Sequence, residues 1–398
     1  MKLNLHGRKV YTSTGIIDDG TIRVEGSHIV SIAHSNFSEE FSSTVEEEEI
    51  TLSGDVLIPG LIDLQMNGAG GRSLNDQPEL DTLEVMASTA VRSGCTAFLP
   101  TVISETPEQT DKALNVVGSS YRKQFHGAQI LGVHLEGPFL NPEKAGVHQP
   151  RFLSLPSVKS LNMFWEAGQG CIKLLTLAPE LPGALDVIRE ASRLGIRVAL
   201  GHTMADQIEC ERAIDAGAVL ATHLFNAMDG PPARDPGSVH SVWGVPQFVF
   251  NRPELSATVI SDGIHVHPDV LREIVKAKGI NGTLLVSDSM PPTGTQASRF
   301  EFQGEQWIVR DGACYSHGGV LGGSILTMDK AIRNISNWAR IPFEDAVAMA
   351  SYNPASLLGY GEEIGQLMVG KKADIVICDK NLIPVATIVN GEIAFSET

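Results

Sequence analysis

The chain is predicted to be an α/β protein: a (β/α)8, TIM-like barrel carrying a small β-sandwich domain built from both chain ends. Three observations predict it. Eight short apolar runs recur through the middle of the chain, several intervals between them carry helical periodicity, and the two ends share a strand-and-turn character that the middle lacks. An open doubly wound sheet is the alternative. A phosphate-cradling G-x-G-x-x-G after the first strand would favour it, and none is present.

The apolar runs are Val56–Leu64, Thr96–Thr101, Ile130–Leu135, Ile172–Leu177, Arg197–Leu200, Ala218–Thr222, Leu255–Ile260 and Thr283–Val286. Short runs of this kind suit strands buried on both faces. Ala184–Leu194, Ala205–Ala216 and Pro268–Lys278 read as helices, the last with proline at a natural helix start. Buried strands alternating with helices over this length close as a barrel. Near the N-terminus, Gly15–Val24 and His28–Ile32 read as strands separated by turn residues; Ala373–Asp379 and Val385–Gly391 do so near the C-terminus. Neither end can bury a core alone, so together they are expected to form one β-sandwich and to bring the termini close. The expected boundaries are 1–54 and 358–398 for the two sandwich parts and 55–357 for the barrel. Glu39–Glu49 is acidic and is expected to be an exposed connection.

Bulk properties narrow the function. A formal net charge of −17 argues against nucleic acid or an anionic membrane as partner, though not against a small anionic substrate. The five cysteines, Cys95, Cys171, Cys210, Cys314 and Cys378, include no C-x-x-C pair. That pattern suits a reducing compartment, without a disulfide framework or a thiolate zinc site. Met1–Val10 has no apolar signal-like core, and no run approaches the roughly 18 apolar residues of a membrane span. A cytoplasmic protein is expected.

In a barrel, chemistry gathers at the C-terminal ends of the strands. Asp63, Gln65 and Asn67 follow the first run, Glu136 the third, His202 the fifth, His223 the sixth, Asp262 and His265 the seventh, and Asp288 the eighth. A single acid at a strand end is as readily solvated as functional, and a single histidine there is more often structural than a ligand. Two histidines at consecutive strand ends, facing a carboxylate, reverse that preference. Glu136, His202 and His223 can hold a zinc-like ion with a position left open for water. Asp288 can then move the proton, or merely cap the following turn. His134 shares a side with Glu136 by strand alternation, either supporting it or packing. Arg234, in the Pro/Gly-rich loop Asp229–Gly237, is a solvated loop residue or an anion anchor. His6, His28, His34, His126, His240 and His317 lack such context and are taken as surface or structural residues.

Several stretches, in order, resemble the amidohydrolase superfamily and, within it, deacetylases acting on N-acetylglucosamine 6-phosphate. They are Pro59–Asp63, His134–Asn141 with Lys144–His148, Gly201–Thr203, Thr222–Met228, Asp262–His265, Asp288 and Leu321–Ser324. The resemblance implies removal of acetate from that sugar phosphate. It implies Glu136, His202 and His223 as metal ligands and Asp288 as the acid/base. Val147, His148, Asn226 and Ala227 would border the sugar, with Leu321, Gly322 and Gly323 contacting its other side. Arg234 and His265 would meet the phosphate from the neighbouring subunit of a homodimer, and Asp262 would join the substrate-binding set. One divalent ion per subunit is implied, zinc first, with iron, cobalt or manganese as alternatives. Many members of the superfamily place H-x-H after the first strand and hold two metals. Here Gln65 and Asn67 stand there, so a second site is expected to be weak or absent. Rival functions are another amidohydrolase acting on amino-acid or cyclic amides, and a scaffold that has lost its centre.

Overall fold

The computed structural model describes residues 2–35, 49–121, 123, 125–228 and 244–397. The acidic connection before Glu49, His240 and the loop that carries Arg234 lie outside the described residues.

Eight strands form the expected barrel: β1 (Leu61–Met66), β2 (Cys95–Ile103), β3 (Val133–Glu136), β4 (Ile172–Leu177), β5 (Arg197–Leu200), β6 (Ala218–Ala221), β7 (Ser256–Val259) and β8 (Thr283–Leu285). They run in sequence order around the sheet, and each neighbouring pair is parallel. The ring closes just beyond β8, where Met66 bridges Ser289 and the Asp288 N–H donates to Gln65 C=O at 3.0 Å. The strands are buried along nearly their whole length, which is why their sequences are apolar runs without alternation.

The helix Ala184–Arg193 buries Val187, Ile188 and Ala191 against this sheet. The helix Gln207–Ala216 starts two residues later than its pattern suggested. Asp206 caps it, accepting from Glu209 N–H while the Glu209 side chain accepts from Asp206 N–H, a reciprocal pair that fixes the start. Pro268–Lys278 is helical over its predicted span.

Two apolar runs are divided. Val56–Leu64 contributes to two sheets: Glu49–Pro59 belongs to the terminal sheet and Leu61–Met66 to the barrel. Gly60 stands between them, so close to Thr96 that a Cβ would lie 2.0 Å from its hydroxyl. Ile130–Leu135 is likewise interrupted, with Gln129–Ile130 pairing β2 separately from β3.

Both chain ends meet in one seven-stranded sheet. Lys2–Thr12, a strand outside the predicted elements, pairs with Gly15–Glu25 and with Glu49–Pro59; Ile375–Cys378 joins from the other side of Glu49–Pro59. Leu3, Leu5, Ile22, Leu57, Ile375 and Ile388 give this unit an apolar core of its own. A four-stranded sheet with no counterpart among the predicted elements lies between β8 and the helix Met328–Ala339. Its strands are Arg299–Phe302, Glu305–Arg310, Ala313–Ser316 and Leu321–Ser324. The last of these leans over the barrel mouth.

Candidate active site and metal centre

The mouth of the barrel holds a cavity of about 320 Å³, lined by groups from six strand ends and from the four-stranded sheet. Glu136 is the last residue of β3, and Gly137 turns the chain away with φ +85°. His202 and His223 follow β5 and β6 by two residues each, and Asp288 follows β8 by three. His202, His223 and Asp288 all have left-handed backbone, with φ of 49°, 31° and 49°. Non-glycine residues adopt that region at an energetic cost and mostly where surrounding structure holds them. Here it turns each side chain back over the strand end, toward the barrel axis.

Three donor atoms converge. His223 Nε2 lies 3.1 Å from Glu136 Oε1, His202 Nε2 lies 3.4 Å from the same oxygen, and the two Nε2 atoms are 3.2 Å apart. His202 Nδ1 donates to the Lys144 carbonyl at 2.7 Å, so its Nε2 presents a lone pair. The edge of a tetrahedron with arms of about 2.0–2.1 Å is about 3.3 Å, so the three separations match ligands of one divalent ion. The donor set is that of a divalent-metal site.

His148 is the competing third donor, since Glu136, His148 and His202 also offer ligand atoms within 4.8 Å of one another. Its tautomer decides against it. The Ser104 N–H donates to His148 Nδ1 at 3.3 Å, so the ring proton sits on Nε2. That Nε2 is buried without a hydrogen-bond partner and stands 3.7 Å from Glu136 Oε2. Burial pushes His148 down to about 4, against the pull of Glu136, which keeps the ring neutral. It is a neutral ring whose Nε2–H stands beside Glu136 Oε2.

Electrostatics separate the two central carboxylates. Burial raises the Glu136 carboxyl, but the His148, His202 and His223 imidazoles around it outweigh that and hold Glu136 well below its ordinary value. Asp288 is raised by burial first and by Glu136, with His223, His265 and the Asn67 amide opposing. One carboxylate is therefore a fixed anion and the other is moved toward exchanging a proton.

A family profile described as the amidohydrolase family matches residues 56–394. The chain belongs to that family. It is 32% identical to the N-acetylglucosamine-6-phosphate deacetylase of Haemophilus influenzae over 98% of its length and 99% of that protein. It is 30% identical to an N-acetylgalactosamine-6-phosphate deacetylase of Escherichia coli O157:H7, over 98% of both. The crystal structure of the N-acetylglucosamine-6-phosphate deacetylase from Pasteurella multocida superposes with a TM-score of 0.88 at 32% identity, covering 99% of each chain.

In this amidohydrolase the first strand end carries amides. Gln65 Nε2 donates to Glu136 Oε1 at 3.0 Å and to Asp288 Oδ1 at 3.1 Å, and Asn67 Nδ2 donates to Asp288 Oδ1 at 2.7 Å. Both amides thus present N–H groups to carboxylates, where a second cation would need their oxygens; those oxygens are buried without partners. Asp63 lies deeper. Its carboxylate accepts from Gln65 N–H, Ser287 N–H and the Ser287 hydroxyl, joining the end of β1 to that of β8. Burial pushes Asp63 up to about 6.

Of the other residues singled out from sequence, Val147, Asn226, Ala227, His265, Leu321, Gly322 and Gly323 all line the mouth. Gly323 has φ +80°, and a Cβ there would meet Met290 at 2.6 Å, so glycine is required. Two expectations need correction. His265 lines the mouth of its own chain beside Asp288, because β7 exits next to β8; it does not have to reach in from a neighbouring subunit. Asp262 does not line the mouth. Its oxygens accept from Ile264 N–H, His265 N–H and His265 Nδ1, the last at 2.6 Å, so it acts by holding His265. His134 does not bond Glu136 either; its Nε2 meets the Thr176 hydroxyl at 2.8 Å, and Thr176 meets Thr222. The sequence reading missed Ser104, which fixes the His148 tautomer. A serine at a strand end carries no signal until its neighbour is known.

Proposed function

We propose that the chain hydrolyses the acetamide of N-acetylglucosamine 6-phosphate, giving glucosamine 6-phosphate and acetate. The observation that carries the proposal is the pairing of a convergent Glu136–His202–His223 donor set with a raised, amide-held Asp288 in one mouth. The names of the full-length relatives support the substrate.

Glu136, His202 and His223 would hold a divalent ion, zinc first among the candidates, which when bound would supply Lewis acidity to the scissile carbonyl and the attacking water. Asp288 takes a proton from that water and later returns it to the leaving nitrogen. Asn67 and Gln65 occupy its Oδ1, which orients the carboxylate while leaving Oδ2 for the proton. His148 donates from Nε2 to the carbonyl oxygen as negative charge develops there. Val147, Asn226 and Ala227 border the sugar, and Leu321–Gly323 closes over its other side. His265, held by Asp262, takes the phosphate together with Arg234, which we assign to the partner subunit of a cytoplasmic homodimer.

The decisive experiment is a deacetylation assay with zinc analysis of the same sample. Turnover of N-acetylglucosamine 6-phosphate, with little of the unphosphorylated sugar, is expected. Equal turnover of both would sink the phosphate assignment, and no turnover of either would sink the function. The relative acting on N-acetylgalactosamine 6-phosphate makes the C4 epimer the second substrate to run.

A further inference from the structure

The fourth strand end places no side chain in the catalytic cluster, yet it sends one carboxylate between the loops that build it. Glu180 lies three residues beyond β4. Its Oε1 accepts from Asn141 Nδ2 and from Met204 N–H, both at 2.8 Å, and its Oε2 from the Thr203 hydroxyl at 2.5 Å. Asn141 is in the loop after β3, and Met204 and Thr203 are in the loop after β5, next to His202.

Two of the three partners can only donate to Glu180, and the third is placed to do so. Met204 offers a backbone N–H. The Asn141 amide is oriented by its Oδ1, which accepts from Glu143 N–H at 2.9 Å. The Thr203 hydroxyl already accepts from Ala205 N–H at 2.9 Å. The position therefore suits a group with two accepting oxygens, which a carboxylate supplies.

The loops tied in this way orient the metal ligands. Asn141 N–H donates to His202 C=O at 3.0 Å, and the Lys144 carbonyl in the same loop fixes the His202 tautomer. Thr203 N–H donates to Ala227 C=O at 3.1 Å, extending the tie to the loop that follows His223. We infer that Glu180 is a positioning residue for the metal centre: it locks the β3 and β5 loops together so that His202 Nε2 stays convergent with the donor atoms of Glu136 and His223. The inference rests on the metal-centre reading above but not on the identity of the substrate.

The test is the zinc affinity of the full chain, measured by competition with a chromophoric chelator, alongside the deacetylation rate in excess zinc. Partners that orient metal-bound imidazoles are worth roughly 10- to 100-fold in affinity. Glu180→Ala is expected to lose about that much, with much of the rate returning in excess zinc. Glu180→Gln keeps an acceptor for Asn141 and Met204 but not for Thr203, and should fall between it and the wild type. Thr203→Val, which removes only the hydroxyl, should follow the Gln variant; these two carry the test if the Ala variant does not fold. Ile274→Val, a core truncation in the helix Pro268–Lys278, should lower Tm without loosening zinc. Unchanged affinity in all three rim variants overturns the role, as does an equal loss in Ile274→Val. A wild-type chain that takes no zinc overturns the metal centre and this role together. A wild type with tight zinc but no deacetylation overturns the proposed substrate alone, and the affinity series still decides Glu180.

Discussion

Two buried aspartates sit at opposite ends of the barrel, and only one is in a position to do chemistry. Asp288, at the mouth, and Asp374, where the barrel meets the terminal sheet, are both raised by burial. Asp374 accepts from Asn390 N–H at 2.7 Å and from the Gln129 amide at 3.1 Å, and the groups around it are satisfied. Asp288 has its Oδ1 held by two amides and stands among polar atoms that lack partners: Gln65 Oε1, Asn67 Oδ1, His148 Nε2 and His223 Nδ1. Unpartnered buried groups cost stability, and here they collect where a ligand can satisfy them. Left-handed non-glycine backbone at His202, His223, Phe225, Ala227 and Asp288 adds to that cost at the same end. Burial alone thus does not mark a functional carboxylate; incomplete satisfaction beside convergent donors does.

The comparison can be broken at several points. Asp288→Asn should lower kcat by roughly 10²- to 10⁴-fold, as expected for loss of an acid/base, while metal content stays at the wild-type level. Loss of the ion in that variant would make Asp288 a ligand instead. Glu136→Gln should cost both metal affinity and activity, and retention of tight metal would remove Glu136 from the centre.

Replacing His148 with Phe removes the buried Nε2–H donor. A fall of about 10²- to 10³-fold in kcat, with KM little changed, is expected for a group that acts on developing charge. A change confined to KM would show that it only binds the sugar.

Asn67→Ala should move the acidic limb of the kcat–pH profile upward. The amide donates to the ionised Asp288, so its removal favours the protonated acid and more alkaline conditions are needed to make the base. A limb that stays in place, or moves down, would show that Asn67 does not tune Asp288.

The smallest effect is expected at the other end. Asp374 has its carboxyl pushed up to about 6 in the folded chain, above its unfolded value. A raised carboxyl contributes stability that is fully present below the unfolded pKa and is lost as pH rises through the folded one. Between pH 5 and 7 the wild type should therefore lose about 1 kcal/mol that Asp374→Asn does not lose, with kcat unaffected. Parallel denaturation curves for the two proteins at pH 5 and 7 would show that the pKa of Asp374 is not raised.

Much of the site was legible because each candidate stood at the end of an apolar run. Ile172–Leu177 and Arg197–Leu200 coincide with β4 and β5, and the site positions follow directly from the strand ends. The four-stranded sheet was not legible, since its strands are short and partly exposed and carry no sustained apolar period. Glu180 left no trace in the sequence because an acid after a strand looks like any solvated turn until its three donors are in place.

The sequence by itself determined the barrel, the order of its strands and most of the residues that reach its mouth, because burial on both faces writes itself as apolar runs and polar strand ends. Tertiary structure decided how those residues differ. Which imidazole presents a lone pair and which a proton depends on Lys144 C=O and Ser104 N–H. Which carboxylate is a fixed anion depends on three histidines from distant parts of the chain. Protonation, tautomer and orientation are set by hydrogen bonds between residues far apart in sequence, and spacing along the chain does not encode those partners.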